Sequence, residues 1–170
     1  LLLASASPRR RMLLRREGLR FEVRPAAIEE DDSGRDGARA MVEANARRKA
    51  VAVAGEHPDR LVLGADTTVC IDGAVLSKPS DLAEARAMLR RLSGRRHAVY
   101  TAVALCWDAG GFFHAFVESS EVLFRTLDAP TIEAYFARVD PLDKAGAYGI
   151  QDAGEMIVES VEGCGDNVMG

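Results

Sequence analysis

The chain has only three cysteines, Cys70, Cys106 and Cys164, and none is paired at CxxC spacing. An odd count without paired spacing argues against a disulfide frame or a zinc site and favours free thiols in a reducing compartment, so a cytoplasmic location is expected. No apolar run reaches membrane-spanning length, residues 1–4 are too short for a signal peptide, and no membrane partner is expected. The initiator Met is missing, so the stretch reads as part of a longer gene product. GxGxxG and Walker loops are absent, which removes the usual signs of a dinucleotide fold or a P-loop. Neither Ser-x-x-Lys nor Gly-x-Ser-x-Gly supports acyl chemistry. The three histidines, His57, His97 and His114, lack HExxH-type spacing and read as structural or surface residues. Excess positive charge is missing too. Lys and Arg number 22 against 26 Asp and Glu, a net charge of −4. A broad duplex-binding surface is therefore not expected, although a local basic cleft remains open.

What is present reads as an ordinary globular chain: 170 residues, 48% hydrophobic and 28% charged, enough for one domain or two small lobes. Strand and helix signals alternate. A short apolar strand leads through Ser-Ala-Ser to Ser7, a natural N-cap, and Pro8 at the first helical position, with Gly18 closing that helix. Residues 19–24 read as a short strand. Ala38, Met41, Val42, Ala46, Ala50 and Val53 recur at helical spacing over residues 36–54, with Gly55 as the stop. Residues 61–63 read as a buried strand. The segments 67–71 and 74–76 flank Asp72-Gly73, a strong hairpin signal. Asp81 and Glu84 form a capping-box pattern ahead of a helix with Leu82, Ala85, Leu89 and Leu92 on its buried stripe. Strands are expected at 97–107, 112–117, 121–127 and 156–161. A helix capped by Asp128 is expected to turn Ile132, Tyr135, Phe136 and Val139 inward, and residues 163–165 to form a turn. Parallel and hairpin-linked strands among helices imply an α/β fold with a mixed sheet.

The residues that carry chemistry begin with Arg9 and Arg10. A helix N-terminus favours acidic neighbours, so arginines there run against its partial charge by roughly 0.3–1 kcal/mol each. An anion held by guanidiniums, loop amides and Ser7 would resolve the conflict; a solvated basic face is the alternative. Gly64-Ala65-Asp66-Thr67 follows an apolar strand, placing Asp66 at its expected C-terminal end, where a carboxylate can bind metal, activate water or simply bracket a turn. Thr67 and Thr68 could bind a ligand or merely enter a strand. Lys49 lies beside the apolar stripe of its helix, Lys78 precedes Pro79, and Lys144 opens a stretch of small residues ending at Gln151. Each lysine alone could be a surface charge. Together with Asp66 and the acidic loop at 29–32, they read as a polyphosphate–metal site. Cys164 between two glycines reads as a free thiol rather than a nucleophile.

Ser5-Ala6-Ser7-Pro8-Arg9-Arg10, Ile28-Glu29-Glu30, Ala46-Arg47-Arg48-Lys49-Ala50, Gly64-Ala65-Asp66-Thr67, Leu76-Ser77-Lys78-Pro79, Leu92-Ser93-Gly94, residues 143–151 and Asn167-Val168-Met169-Gly170 run in a fixed order. In that ordered set the chain resembles the Maf family of nucleoside triphosphate pyrophosphatases. The resemblance implies an inosine-triphosphatase-like α/β fold, a mixed twisted sheet with flanking helices, forming one domain over 1–170 with two lobes around a central cleft, and a homodimer. It also implies hydrolysis of a nucleoside triphosphate to monophosphate and pyrophosphate with Mg²⁺ or Mn²⁺. By the same resemblance Asp66 is the general base and, with Glu30, a metal ligand. Ser7, Arg9, Lys49, Lys78 and Lys144 are placed on phosphates, and Arg10, Thr67 and Gln151 are tied to base choice. Residues 144–151 resemble the dTTP/UTP branch rather than the 7-methyl-GTP branch. Asp152-Ala153 stand where many members have glycine, a departure expected to stiffen the loop. Relatives usually continue past Gly170 into a final helix. The competing readings are a nucleotide-sensing or nucleic-acid-binding regulator of cell division, and a phosphatase releasing orthophosphate.

Overall fold

The computed structural model describes residues 1–170. Its elements in chain order are β1 (Leu2–Leu3), α1 (Pro8–Arg16), β2 (Glu22–Val23), α2 (Ala38–Glu56), β3 (Val62–Ile71), β4 (Ala74–Leu76), α3 (Leu82–Leu92), β5 (Arg96–Trp107), β6 (Phe112–Phe124), α4 (Ala129–Phe136), β7 (Val158–Glu162) and α5 (Gly165–Met169). The strands form one sheet in the order β2-β1-β3-β5-β6-β7, with β4 paired to β3. β1 runs parallel to β2 and β3, whereas β4 and β7 join antiparallel, so the sheet is mixed as expected. The chain divides into two compact units, one of Leu1–Thr67, Thr101–Glu118 and Gly170, the other of Thr68–Tyr100 and Ser119–Met169.

In the first unit local signals act as their chemistry requires. The Ser7 side chain caps α1 by accepting from the Arg10 amide at 3.4 Å, and Pro8 occupies the first turn. Gly18 takes φ 71° just beyond the helix. Its N–H reaches the Arg15 carbonyl and that of Leu19 reaches Leu14, both at 3.0 Å, the paired bonds of a Schellman stop. Helix α2 begins and ends two residues later than its apolar spacing predicts, running through Gly55 to Glu56. The expected stripe is buried, but Asn45 and Lys49 are buried on it as well. Strand β3 is longer than expected. The two expected segments are one continuous strand from Val62 to Ile71, because pairing with strands on both sides carries it through Gly64-Ala65-Asp66 and no proline interrupts its ladder. Asp66 therefore lies inside β3 and not at a strand end.

The second unit carries a core that includes Val69, Leu89, Leu92, Phe124, Ile132, Tyr135 and Ile157. Asp72 and Gly73 turn β3 into β4 with φ of 54° and 74°, the left-handed pair a two-residue hairpin needs. Asp81 caps α3 through the Glu84 amide at 2.8 Å, but the Glu84 carboxylate accepts from the Ser80 amide and hydroxyl, both at 2.7 Å, so the return half of the capping box closes on Ser80. Met88 takes the place expected of Leu82, which sits exposed in the first turn. Asp128 caps α4 as expected; Ile132, Tyr135 and Val139 are buried and Phe136 partly so. The strands expected at 112–117 and 121–127 are the single β6, and the expected turn at 163–165 opens the short α5.

His97 lies within this core at 3% exposure, its Nε2 2.8 Å from the Tyr148 hydroxyl and its ring edge-on to Phe124 and Tyr148. Burial pulls its pKa from 6.5 to about 4 and pushes the Tyr148 phenol up. The folded protein holds His97 neutral, while the unfolded chain takes up a proton near pH 6.5. Stability from this group is complete above that pH and is lost as pH falls from 6.5 toward 4, by at most about 3 kcal/mol. Urea unfolding at pH 7.5 and pH 5 should show this loss in wild type and a smaller one in His97→Gln; equal losses would rule His97 out as its source.

Candidate active site

The α2–β3 contact brings the charged residues of the first unit together. A Cβ built on Gly64 would lie 2.4 Å from the Ala46 carbonyl oxygen and 2.6 Å from the Ala50 nitrogen, so the helix backbone rests directly on the strand. Two residues along β3, Asp66 meets the buried face of that helix. Its Oδ1 accepts from Lys49 Nζ at 2.7 Å, and its Oδ2 accepts from Asn45 Nδ2 at 3.0 Å. Lys49 and Asp66 are each only 7% exposed. The same ammonium donates to Glu30 Oε2 at 2.7 Å. Two carboxylates thus share one buried cation, leaving a local excess of one negative charge before any arginine is counted.

Asn45 ties the network to the acidic loop. Its Nδ2 donates to the Asp31 carbonyl at 2.9 Å, its Oδ1 accepts from the Asp31 amide at 3.0 Å, and Arg48 also donates to that oxygen. The loop that carries Glu30 is thereby fixed to the residue that holds Asp66. Asn45 belongs to no motif of the sequence. Its signal was a polar residue on an apolar stripe, one turn before Lys49.

Arg10 faces the strand. Its guanidinium donates to the Ala65 carbonyl at 2.8 Å, to Ser5 Oγ at 3.1 Å and to Thr67 Oγ1 at 3.1 Å, while its buried Nε has no hydrogen-bond partner. Burial lowers its pKa, against the attraction of Asp66 and Glu30 and with a smaller lowering from Arg9. Thr67 Oγ1 also pairs with Thr101 Oγ1 at 2.9 Å. The two neighbouring arginines therefore differ: Arg10 is held by the polar groups of β3 and the first loop, and Arg9 is half-buried on the first turn of α1. Ser7 serves as the helix cap. Asp66, Lys49, Glu30, Arg10, Thr67 and Ser7 all belong to this unit.

Lys78, Lys144 and Gln151 belong to the second unit. Lys78 is exposed. Lys144 is 6% exposed, and its Nζ donates to the Asp140 carbonyl at 2.8 Å and to Asp143 Oδ1 at 2.6 Å, with Asp152 Oδ2 3.6 Å away. Gln151 is exposed and donates from Nε2 to Asp152 Oδ2 at 2.8 Å. The small residues before Gln151 serve packing in part. A Cβ on Gly146 would fall 2.9 Å from Val69 Cγ2, so this glycine admits a protein side chain rather than a ligand. Among His, Cys, Asp and Glu, no group of three or more gathers as metal ligands would.

Gly64→Ala should force α2 away from β3, costing about 3 kcal/mol in urea unfolding and loosening Lys49 from Asp66. Gly55, in the last turn of the same helix, has open space where a Cβ would stand. Gly55→Ala should instead stabilise by about 0.5–1 kcal/mol. Equal effects of the two changes would contradict the close approach at Gly64.

A family model described as Maf-like protein matches residues 1–170. The chain is 45% identical to a protein of Pelotomaculum thermopropionicum over 170 residues, covering 100% of this chain and 89% of the relative. It is 49% identical to one of Myxococcus xanthus (100% and 85% covered) and 50% identical to one of Moorella thermoacetica (100% and 88% covered). All three relatives are named dTTP/UTP pyrophosphatase. No helix of the chain is long and apolar enough to cross a membrane. With its whole length matched and its motifs in order, this chain belongs to the Maf family.

Proposed function

We propose that the chain hydrolyses UTP and dTTP to the monophosphate and pyrophosphate, with Asp66 as general base. The observation that carries this reading is the buried Asp66 carboxylate held between the Lys49 ammonium and the Asn45 amide, in a chain whose full-length relatives bear the pyrophosphatase name. Each carboxylate oxygen uses one acceptor position on these donors and keeps another. A water placed there gives its proton to Asp66 as its oxygen opens the α–β anhydride, and pyrophosphate leaves. Lys49 fixes the carboxylate's orientation and supplies counter-charge to it and to Glu30. Ser7, Arg9, Lys78 and Lys144 are assigned to phosphates, and Arg10, Thr67 and Gln151 to base choice, on the family resemblance. A homodimer is the form that resemblance implies, and the three unpaired cysteines favour the cytoplasm.

The residues also fit a divalent metal of the Mg²⁺ or Mn²⁺ kind. Glu30 and Asp66 already converge on one cation at 2.7 Å each, and such ions are held by one or two carboxylates together with substrate phosphates. Glu30 and Asp66 would hold it, and its charge would stabilise the pyrophosphate as it departs.

Product release from dTTP, UTP, CTP, GTP and 7-methyl-GTP, with and without Mn²⁺, tests the activity. Pyrophosphate from UTP and dTTP is the expected result. Orthophosphate would make the chain a phosphatase, preference for 7-methyl-GTP would move it to the other branch, and salt-dependent DNA binding without hydrolysis would favour a regulator. Asp66→Asn should keep nucleotide affinity within a few-fold while turnover drops by about 10²–10⁴; near-normal turnover would remove Asp66 as the base.

A further inference from the structure

The segment that carries Lys144 and Gln151 is pinned at its middle. The buried Tyr135 hydroxyl accepts from the Gly149 amide at 3.0 Å and lies 3.4 Å from its carbonyl oxygen. Above that glycine three side chains meet. A Cβ on Gly149 would lie 3.0 Å from Gln151 Nε2, 3.0 Å from Lys144 Cε and 3.1 Å from Asp152 Oδ2. Asp152 accepts from Gln151 Nε2 at 2.8 Å and lies 3.6 Å from the Lys144 ammonium. The backbone just beyond is held in a left-handed conformation, with Ala153 at φ 52°.

A carboxylate only accepts hydrogen bonds, so Gln151 has one way to face Asp152: nitrogen toward it, oxygen away. With one N–H committed, the amide retains its Oε1 acceptor and a second N–H donor side by side. That pair complements the imide edge of uracil or thymine, where N3–H can donate to Oε1 and a ring carbonyl can accept from Nε2. Cytosine presents the opposite polarity at the same place, an unprotonated N3 beside an amino group. Meeting it requires the amide to turn over, which would set Oε1 against the Asp152 carboxylate, two acceptors face to face.

We propose that Asp152 is a positioning residue for base selection, locking the Gln151 amide in the sense that accepts uracil and thymine and disfavours cytosine. The proposal rests on the reading that Gln151 meets the base. Lys144, closed over the same glycine, holds the carboxylate in place.

The test compares kcat/KM for UTP and CTP in the full chain, with binding of UMP and CMP as a readout independent of turnover. Asp152→Asn is nearly isosteric but can offer Gln151 either a donor or an acceptor, so the lock opens while packing stays. It should lower the UTP-to-CTP preference about tenfold, in both readouts, with an unchanged thermal midpoint. Gln151→Ala should lower it at least as far. If Gln151→Ala collapses the preference and Asp152→Asn leaves it at the wild-type value, the lock is wrong while the base contact stands. If Gln151→Ala itself leaves the preference intact, the reading of Gln151 fails and takes the lock with it.

Discussion

The first unit depends on one steric fact: α2 lies on β3 with no side chain between them at Gly64. A methyl group there would overlap the helix backbone, and backbone cannot step aside as a flexible side chain can. The closeness sets where Lys49 and Asn45 stand relative to Asp66 two residues further along.

The network built on that contact is expensive to bury. Removing a carboxylate and an ammonium from water costs several kcal/mol each, recovered only with close geometry and further hydrogen bonds. Here every member is answered: Lys49 by two carboxylates and Asp66 by Lys49 and Asn45, while Asn45 also binds the backbone of the loop bearing Glu30. Such an arrangement does little for stability that a packed leucine could not do. Under the proposed hydrolysis it serves as a fixed acceptor, where the orientation of one oxygen matters. Arg10 extends the same logic, spending its donors on Ala65, Ser5 and Thr67, so that a residue suited to anions also rigidifies the strand next to Asp66.

In the second unit precision comes from a loop under tension. Ala147 and Ala153 are held at φ 64° and 52°, conformations costly for any residue with a Cβ, and Gly146 is pressed against Val69. The surrounding contacts must over-determine the loop for it to persist. Tyr135 at Gly149 and His97 at Tyr148 supply that constraint from the core, one through a phenol bonded to the backbone and the other through a buried imidazole. The sequence showed the small residues but not their use.

Much of the local structure was readable because its causes are local. Ser7 and Pro8 start α1, Gly18 stops it, Asp72-Gly73 turns the hairpin, and Asp81 and Asp128 cap their helices, each through φ or a hydrogen bond within a few residues. The charged residues that gather around Asp66 were readable as residue types too, a helix lysine, an acidic loop and a first-turn arginine. Element lengths were not: β3 runs through Asp66, and β6 is one strand, because ladder pairing with neighbours overrides a polar interruption. Nor was Asn45, which looked like one more helix residue. The sequence by itself determined the caps, the turns, the family and the inventory of charges. Only the tertiary structure decided which oxygen faces which nitrogen. Asn45 and Asp66 are 21 positions apart, and Glu30 and Lys49 19. Their pairing depends on a helix-to-strand distance that no local pattern encodes.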